Sequence, residues 1–190
     1  MENSEYSRLI YIVEDNEMYA GIVKIGLEGN LNKPGNPKSE IKVFYTGEDM
    51  LAQLQEGKES PDIVVLDFFL NSSVPEAKNG DIILTEFRKF FKNKGIAIPA
   101  VVMLTASKDI NSAVSLLKKG AKDFIIKDDS FLSNLTKSIN TIFEFSKLKS
   151  ESKKHEAKAE KYKKGLIISL SIVGVVVAVL FYILFAILLK

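Results

Sequence analysis

The chain has no cysteine and no tryptophan, a single histidine, and only five prolines in 190 residues. Without cysteine there are no disulfides and no thiolate metal sites, as in chains of a reducing compartment. His155 is the only histidine, which excludes a multi-histidine metal centre and any histidine-based triad elsewhere in the chain. The net charge is only +2, so the chain as a whole has no strong field to attract nucleic acid. The start is equally short of apolar sequence: MENSEYSRLIYIVED carries Glu2 and Glu5, does not read as a secretory signal, and is expected in the cytoplasm. Charge is missing altogether in one place, the 24 residues from Leu166 to Leu189. As a helix rising about 1.5 Å per residue that run spans roughly 36 Å, more than the roughly 30 Å of a bilayer's hydrocarbon core. It is expected to be a tilted, single transmembrane helix.

What is present is enough apolar sequence, 46% of residues, for one ordinary domain with an appendage. We place the domain at residues 8–146, a lysine-rich stalk at 147–165 and the span at 166–189. The stalk, KLKSESKKHEAKAEKYKKG, has eight lysines against three glutamates and almost no large apolar side chains, so it reads as a solvated helical linker with His155 on its surface. Lysines beside a span favour the cytoplasmic side, which puts the N-terminal domain on the cytoplasmic side of the inner membrane and leaves only Lys190 at the far end. They also attract anionic lipid at about 1 kcal/mol per lysine near the surface. Gly174 and Ala178 form a small-xxx-small pair that permits close packing of a second copy, and so a homodimer.

Residues 8 to 146 alternate between two patterns. Short β-rich runs occur at RLIYIV (8 to 13), IKVFY (41 to 45), DIVVL (62 to 66), IPAVVML (98 to 104) and DFIIK (123 to 127). Several are apolar at consecutive positions, as in central strands covered on both faces. Helical spacing lies between them, at Met18, Ile22 and Ile25; in TGEDMLAQLQEG; at Ile83, Phe87 and Phe90; at Ile110, Ala113 and Leu117; and at Leu132, Leu135, Ile139 and Ile142. Five strands alternating with five helices predict an α/β fold, a doubly wound parallel sheet between two helix layers.

In such sheets ligands bind beyond the carboxyl ends of the strands. Those ends carry Glu14 and Asp15, then Asp67, Thr105 and Lys127: three carboxylates, a hydroxyl and an ammonium. A carboxylate at the end of the buried run VVLDFFL is costly unless metal, cation or hydrogen bonds compensate it. Three carboxylates without histidine or cysteine suit hard Mg2+, while a hydroxyl and an ammonium opposite would orient and neutralise a phosphoryl group. Asp67 is then a nucleophile able to accept that group as an acyl phosphate.

IYIVEDN, VVLDFF, VMLTAS and FIIKDD, in this order and spacing, resemble the receiver domain of response regulators, the phosphoacceptor half of two-component signalling. The resemblance implies a flavodoxin-like (βα)5 fold over residues 8–146 and a phosphoacceptor rather than an enzyme. It implies Asp67 as the phosphorylated residue. Glu14, Asp15 and the backbone carbonyl of Phe69 join Asp67 as Mg2+ ligands. It also implies Thr105 as the hydroxyl that follows the phosphoryl group, Lys127 as the lysine that pairs with aspartate and phosphate, and Phe124 as the aromatic switch. Its partners would be a histidine kinase or phosphotransfer protein upstream and an unidentified protein downstream. The residue two past the phosphoacceptor influences water access in this family, so the bulky Phe69 implies a long-lived phosphoryl group.

The pattern departs from the family in three places. Asp128 follows Lys127 where proline is usual, leaving the usual cis peptide open and offering Asp128, Asp129 or Ser130 as an N-cap for the last helix. The loop FFLNSSVPEAKNG is longer than usual, holds Ser72 and Ser73 as candidate partner contacts, and ends in Asn79-Gly80 where Asp-Gly is common. GNLNKPGNPKSE before the second strand is also long and polar. Since a stalk and a span leave no room for an output domain, output is expected through a contact surface at about residues 106 to 146, by docking or by dimerisation through the stalk. The competing reading is a membrane-anchored adaptor that keeps the fold and binds proteins without phosphorylation.

Overall fold

The computed structural model describes residues 8–57, 59–71, 75–107 and 109–188, with side chains described at all of these except 110, 165, 167, 168, 172, 173 and 175–188. Ser72 and Ser73 therefore lie outside the described residues. The elements alternate as β1 (Arg8–Val13), α1 (Glu17–Leu31), β2 (Ser39–Phe44), α2 (Gly47–Gln55), β3 (Ile63–Asp67), α3 (Gly80–Lys94), β4 (Ala100–Thr105), α4 (Ile110–Lys118), β5 (Asp123–Ile126) and α5 (Phe131–Leu188). The strands pair in parallel in the order β2-β1-β3-β4-β5. The order reverses beside β1, so the carboxyl ends of β1 and β3 flank a switch point of the kind that binds ligands.

The central strands are apolar on consecutive positions because both faces are covered. Tyr11, Val13, Val64, Leu66, Val101 and Met103 join Met50, Ile83, Phe87, Phe91 and Leu116 from α2, α3 and α4 in one core. The alternate residues, Ile10, Ile12, Ile63, Val65, Val102 and Leu104, are equally buried and point to the other face. α1 and the start of α5 meet closely: a Cβ on Gly26 would lie 2.3 Å from the Leu132 side chain, and Asn30 Nδ2 donates to Thr136 Oγ1 at 3.4 Å.

Helix starts are set by side chains that satisfy the first free N–H groups. Asn16 accepts from Tyr19 N, Thr46 from Asp49 N, and Asp109 from Asn111 N and Ser112 N. Asp128 Oδ1 accepts from Ser130 N at 2.9 Å and Ser130 Oγ at 2.8 Å, closing the turn into α5. No cis peptide bond occurs among the described residues.

The helices fall where the spacing puts them, and the structure shows which of their faces are buried. Met18, Ile22 and Ile25 are 74%, 46% and 72% exposed, and α1 instead buries Ala20, Val23, Leu27 and Leu31. Both sets have helical spacing; the sheet covers the second. In α3, Phe91 is buried beside Ile83 and Phe87 while Phe90 is half-buried, and in α4 Leu116 rather than Leu117 faces the core.

The chain divides into two compact units, Met1–Ile142 and Phe143–Lys190. In the second, the described side chains from 144 to 164 are all exposed, and Glu160 pairs with Lys164 at 2.8 Å. α5 is helical through the stalk. Among the described residues no helix is long and apolar enough to cross a membrane, so the structure does not support the expected anchor; residues 166–189 fall mostly on side chains outside the described set.

Candidate functional site

Each strand end at the switch point delivers its side chains by ordinary backbone pairing. Glu14 N donates to Phe44 O at 3.0 Å, Phe68 N to Leu104 O at 2.9 Å, and Lys127 N to Thr105 O at 2.8 Å. These bonds hold the residues around Glu14, Asp67, Thr105 and Lys127 in a row along one edge of the sheet. Gly80 completes the frame. Its N–H donates to Phe68 O at 2.8 Å, and a Cβ there would lie 2.0 Å from the Asp67 carbonyl oxygen. Only glycine allows α3 to start this close to β3.

Glu14, Asp15 and Asp67 are all buried, and one carboxylate oxygen of each lies within 4.8 Å of the others. Lys127 Nζ stands 2.7 Å from Glu14 Oε2 and 3.0 Å from Asp67 Oδ2. One ammonium is thus shared by two buried acids. Burial, and then the negative charge of Asp67, push the Glu14 carboxyl up from 4.5 to about 7 despite the bond from Lys127. Burial also raises Asp67 above its usual range, against the pull of Lys127. Asp67 Oδ1 is buried and, among the described residues, has no hydrogen-bond partner. A buried carboxylate oxygen left in that state, beside two other acids, fits a hard divalent cation such as Mg2+.

The other expected residues fall around this centre. Thr105 is buried, and its Oγ1 accepts from Ser107 N at 3.0 Å, which leaves its proton free to donate. Phe124 is half-buried and packs against the main core from β5. Phe69 is 41% exposed, its ring edge-on to Phe68 with centroids 4.7 Å apart.

One contributor has no signal at the strand ends. Tyr19, in the first turn of α1, places its ring 4.4 Å from Lys127 Nζ and stacks at 5.1 Å on Phe131, the first residue of α5. Its hydroxyl is buried without a hydrogen-bond partner. Burial, followed by the charges of Glu14 and Asp67, raises its pKa and keeps it protonated. The aromatic position three residues past Asn16 was the available clue.

A parallel α/β sheet with an acidic cluster, a lysine and a hydroxyl at its carboxyl edge is the architecture of a phosphoacceptor. The family model of the response regulator receiver domain matches residues 10–140. Regulatory protein LuxO of Vibrio cholerae serotype O1 is 31% identical over 88 residues, covering 46% of this chain but only 17% of that protein. The signal receiver domain of a putative Luxo repressor protein from Vibrio parahaemolyticus is 24% identical with a TM-score of 0.58, covering 76% of this chain and 95% of that one. NtrX from Brucella abortus is 28% identical with a TM-score of 0.58, covering 76% of this chain and 29% of that one. The chain belongs to the response regulator receiver domain family, and its fold is the flavodoxin-like fold of receivers. Receiver domains are phosphoacceptors rather than conventional enzymes; they bind Mg2+ at an acidic pocket and work with histidine kinases or phosphotransfer proteins.

Proposed function

We propose that this chain takes a phosphoryl group on Asp67 from a histidine kinase or phosphotransfer protein and signals through a protein-contact surface while tethered to a membrane. The observation that carries the reading is the unpartnered, buried Oδ1 of Asp67, set among Glu14 and Asp15 while Oδ2 is held by Lys127. Glu14, Asp15 and Asp67, with the Phe69 carbonyl, would hold Mg2+. Bound there, the ion supplies positive charge that offsets the charge developing on the phosphoryl oxygens. Lys127 offers a second cation to the same oxygens, Thr105 a hydroxyl donor, and Phe124 the ring that adjusts when Thr105 moves inward. A constitutive adaptor would have no use for three buried acids that cost stability.

The tether rests on the 24 uncharged residues from Leu166 to Leu189, preceded by the lysine-rich stalk. Together they support a single-pass protein of the inner membrane with its receiver in the cytoplasm.

Incubation with Mg2+ and acetyl phosphate should add one phosphate to the wild-type chain and none to Asp67→Asn. Equal labelling of the two would sink the assignment. For the tether, the full-length chain should remain in the membrane pellet after alkaline carbonate washing, whereas release into the wash would exclude an embedded span.

A further inference from the structure

The hydroxyl of Tyr19 has no work to do in the structure as it stands. An unpaired buried hydroxyl is costly, and nearly all such groups in folded proteins find a partner. Three contacts fix this one. The Asn16 side chain accepts from Tyr19 N at 2.9 Å and anchors the backbone, the ring lies flat against Phe131 at an interplanar angle of 28°, and the other aromatic contact is to the Lys127 ammonium. The ring thus lies against the ammonium that holds Glu14 and Asp67, burial keeps the hydroxyl protonated, and among the described residues no acceptor reaches it.

We infer that Tyr19 is a positioning residue for phosphoryl transfer, its ring holding Lys127 in place and its hydroxyl donating a hydrogen bond to the phosphoryl group on Asp67. The inference rests on the reading of Asp67 as the phosphoacceptor. A phosphoryl group brings three strong acceptor oxygens. Lys127 is already shared between two carboxylates, so a further donor near the acceptor fills a need that those residues leave. In the step itself an Asp67 oxygen bonds to phosphorus while the phosphorus–oxygen bond to acetate breaks, and acetate leaves with the electron pair. The Tyr19 proton stays on its hydroxyl throughout, and the donor gains strength as its acceptor gains charge.

Tyr19→Phe keeps the ring and removes only the hydroxyl. With the full-length chain in non-ionic detergent, Mg2+ and acetyl phosphate, this variant should be phosphorylated about tenfold more slowly at saturating donor. Its half-saturating acetyl phosphate concentration should stay within about twofold of wild type, its Mg2+ affinity should not move, and its urea midpoint should hold or rise, because the cost of the unpaired hydroxyl is gone. A wild-type rate overturns the inference. So does a loss of Mg2+ affinity or of urea midpoint that accounts for the slower rate, since Tyr19 would then act through packing. An independent reading comes from carbon-13 at the tyrosine ring carbon that bears the hydroxyl: the resonance missing from Tyr19→Phe should shift when the wild type is phosphorylated. A stationary resonance at full phosphate incorporation also overturns it. Labelling of Asp67→Asn, by contrast, would strike the phosphoacceptor reading itself, whatever Tyr19 does.

Discussion

Crowding three acids around one lysine makes the metal-free protein sensitive to pH in an uncommon direction. Glu14 is pushed from 4.5 to about 7, first by burial and then by the charge of Asp67. The folded protein therefore holds the Glu14 proton more tightly than the unfolded chain does. The stability this contributes is fully present below about pH 4.5 and is lost as pH rises through about 7. At roughly 1.4 kcal/mol per unit the loss is of the order of 3 kcal/mol, a large share of the roughly 5–15 kcal/mol that holds a typical domain. Asp67 is raised as well, for the same leading reason, and adds a loss of the same sign.

Other acids pull the opposite way. Asp109, for instance, is held below its usual range by its hydrogen bonds to Ser112 and Asn111. The informative quantity is thus the difference between Glu14→Gln and wild type, from urea titrations in EDTA at pH 5 and pH 8 followed by the near-ultraviolet circular dichroism of the tyrosines. Removing the charge of Glu14 should make the variant gain on wild type by about 3 kcal/mol between the two pH values. Mg2+ competes with protons for the same oxygens, so it should stabilise wild type more at pH 8 than at pH 5. A difference that is flat with pH, or that shrinks as pH rises, would refute the argument that burial outweighs Lys127 at this site.

Three further outcomes follow from the same geometry. Lys127→Met leaves Glu14 and Asp67 buried without their cation; in EDTA at pH 8 it should lower the unfolding free energy from urea titration by about 3 kcal/mol, with much of the loss restored by Mg2+. Gly80→Ala drives a methyl group toward the Asp67 carbonyl, so it should lower the unfolding free energy from urea titration by about 1–3 kcal/mol and slow acetyl phosphate labelling. Phe69→Asn replaces a half-open apolar ring with a group that can bind water, and should shorten the lifetime of the phosphorylated protein, measured by phosphate release after donor removal; an unchanged lifetime would remove Phe69 as a barrier to water.

The strands and the acidic centre were legible because each is fixed by local sequence. VVLD must lie in a sheet covered on both sides, and Glu14, Asp15, Thr105 and Lys127 each follow an apolar run that ends where they begin. The buried face of α1 was not legible. Met18, Ile22 and Ile25 repeat at helical spacing just as Ala20, Val23, Leu27 and Leu31 do, so periodicity alone has two solutions, and only the sheet and the Asn16 cap choose between them. Tyr19 was hidden for a related reason: its meaning comes from Lys127 and Phe131, which lie at the far end of the domain's sequence and reach it only once β5 and α5 have folded beside α1.

Asn79-Gly80 shows how a departure from a family pattern can divide into a free part and a forced part. Asparagine caps α3 without a side-chain hydrogen bond, and its Oδ1 is buried with no partner. No hydrogen bond of this side chain therefore demands asparagine rather than aspartate at the cap. The glycine has no such latitude, because any side chain would strike the carbonyl of the residue that carries the phosphoacceptor. A loop that departs from the receiver pattern in the sequence therefore contains one of the strictest steric requirements of its site.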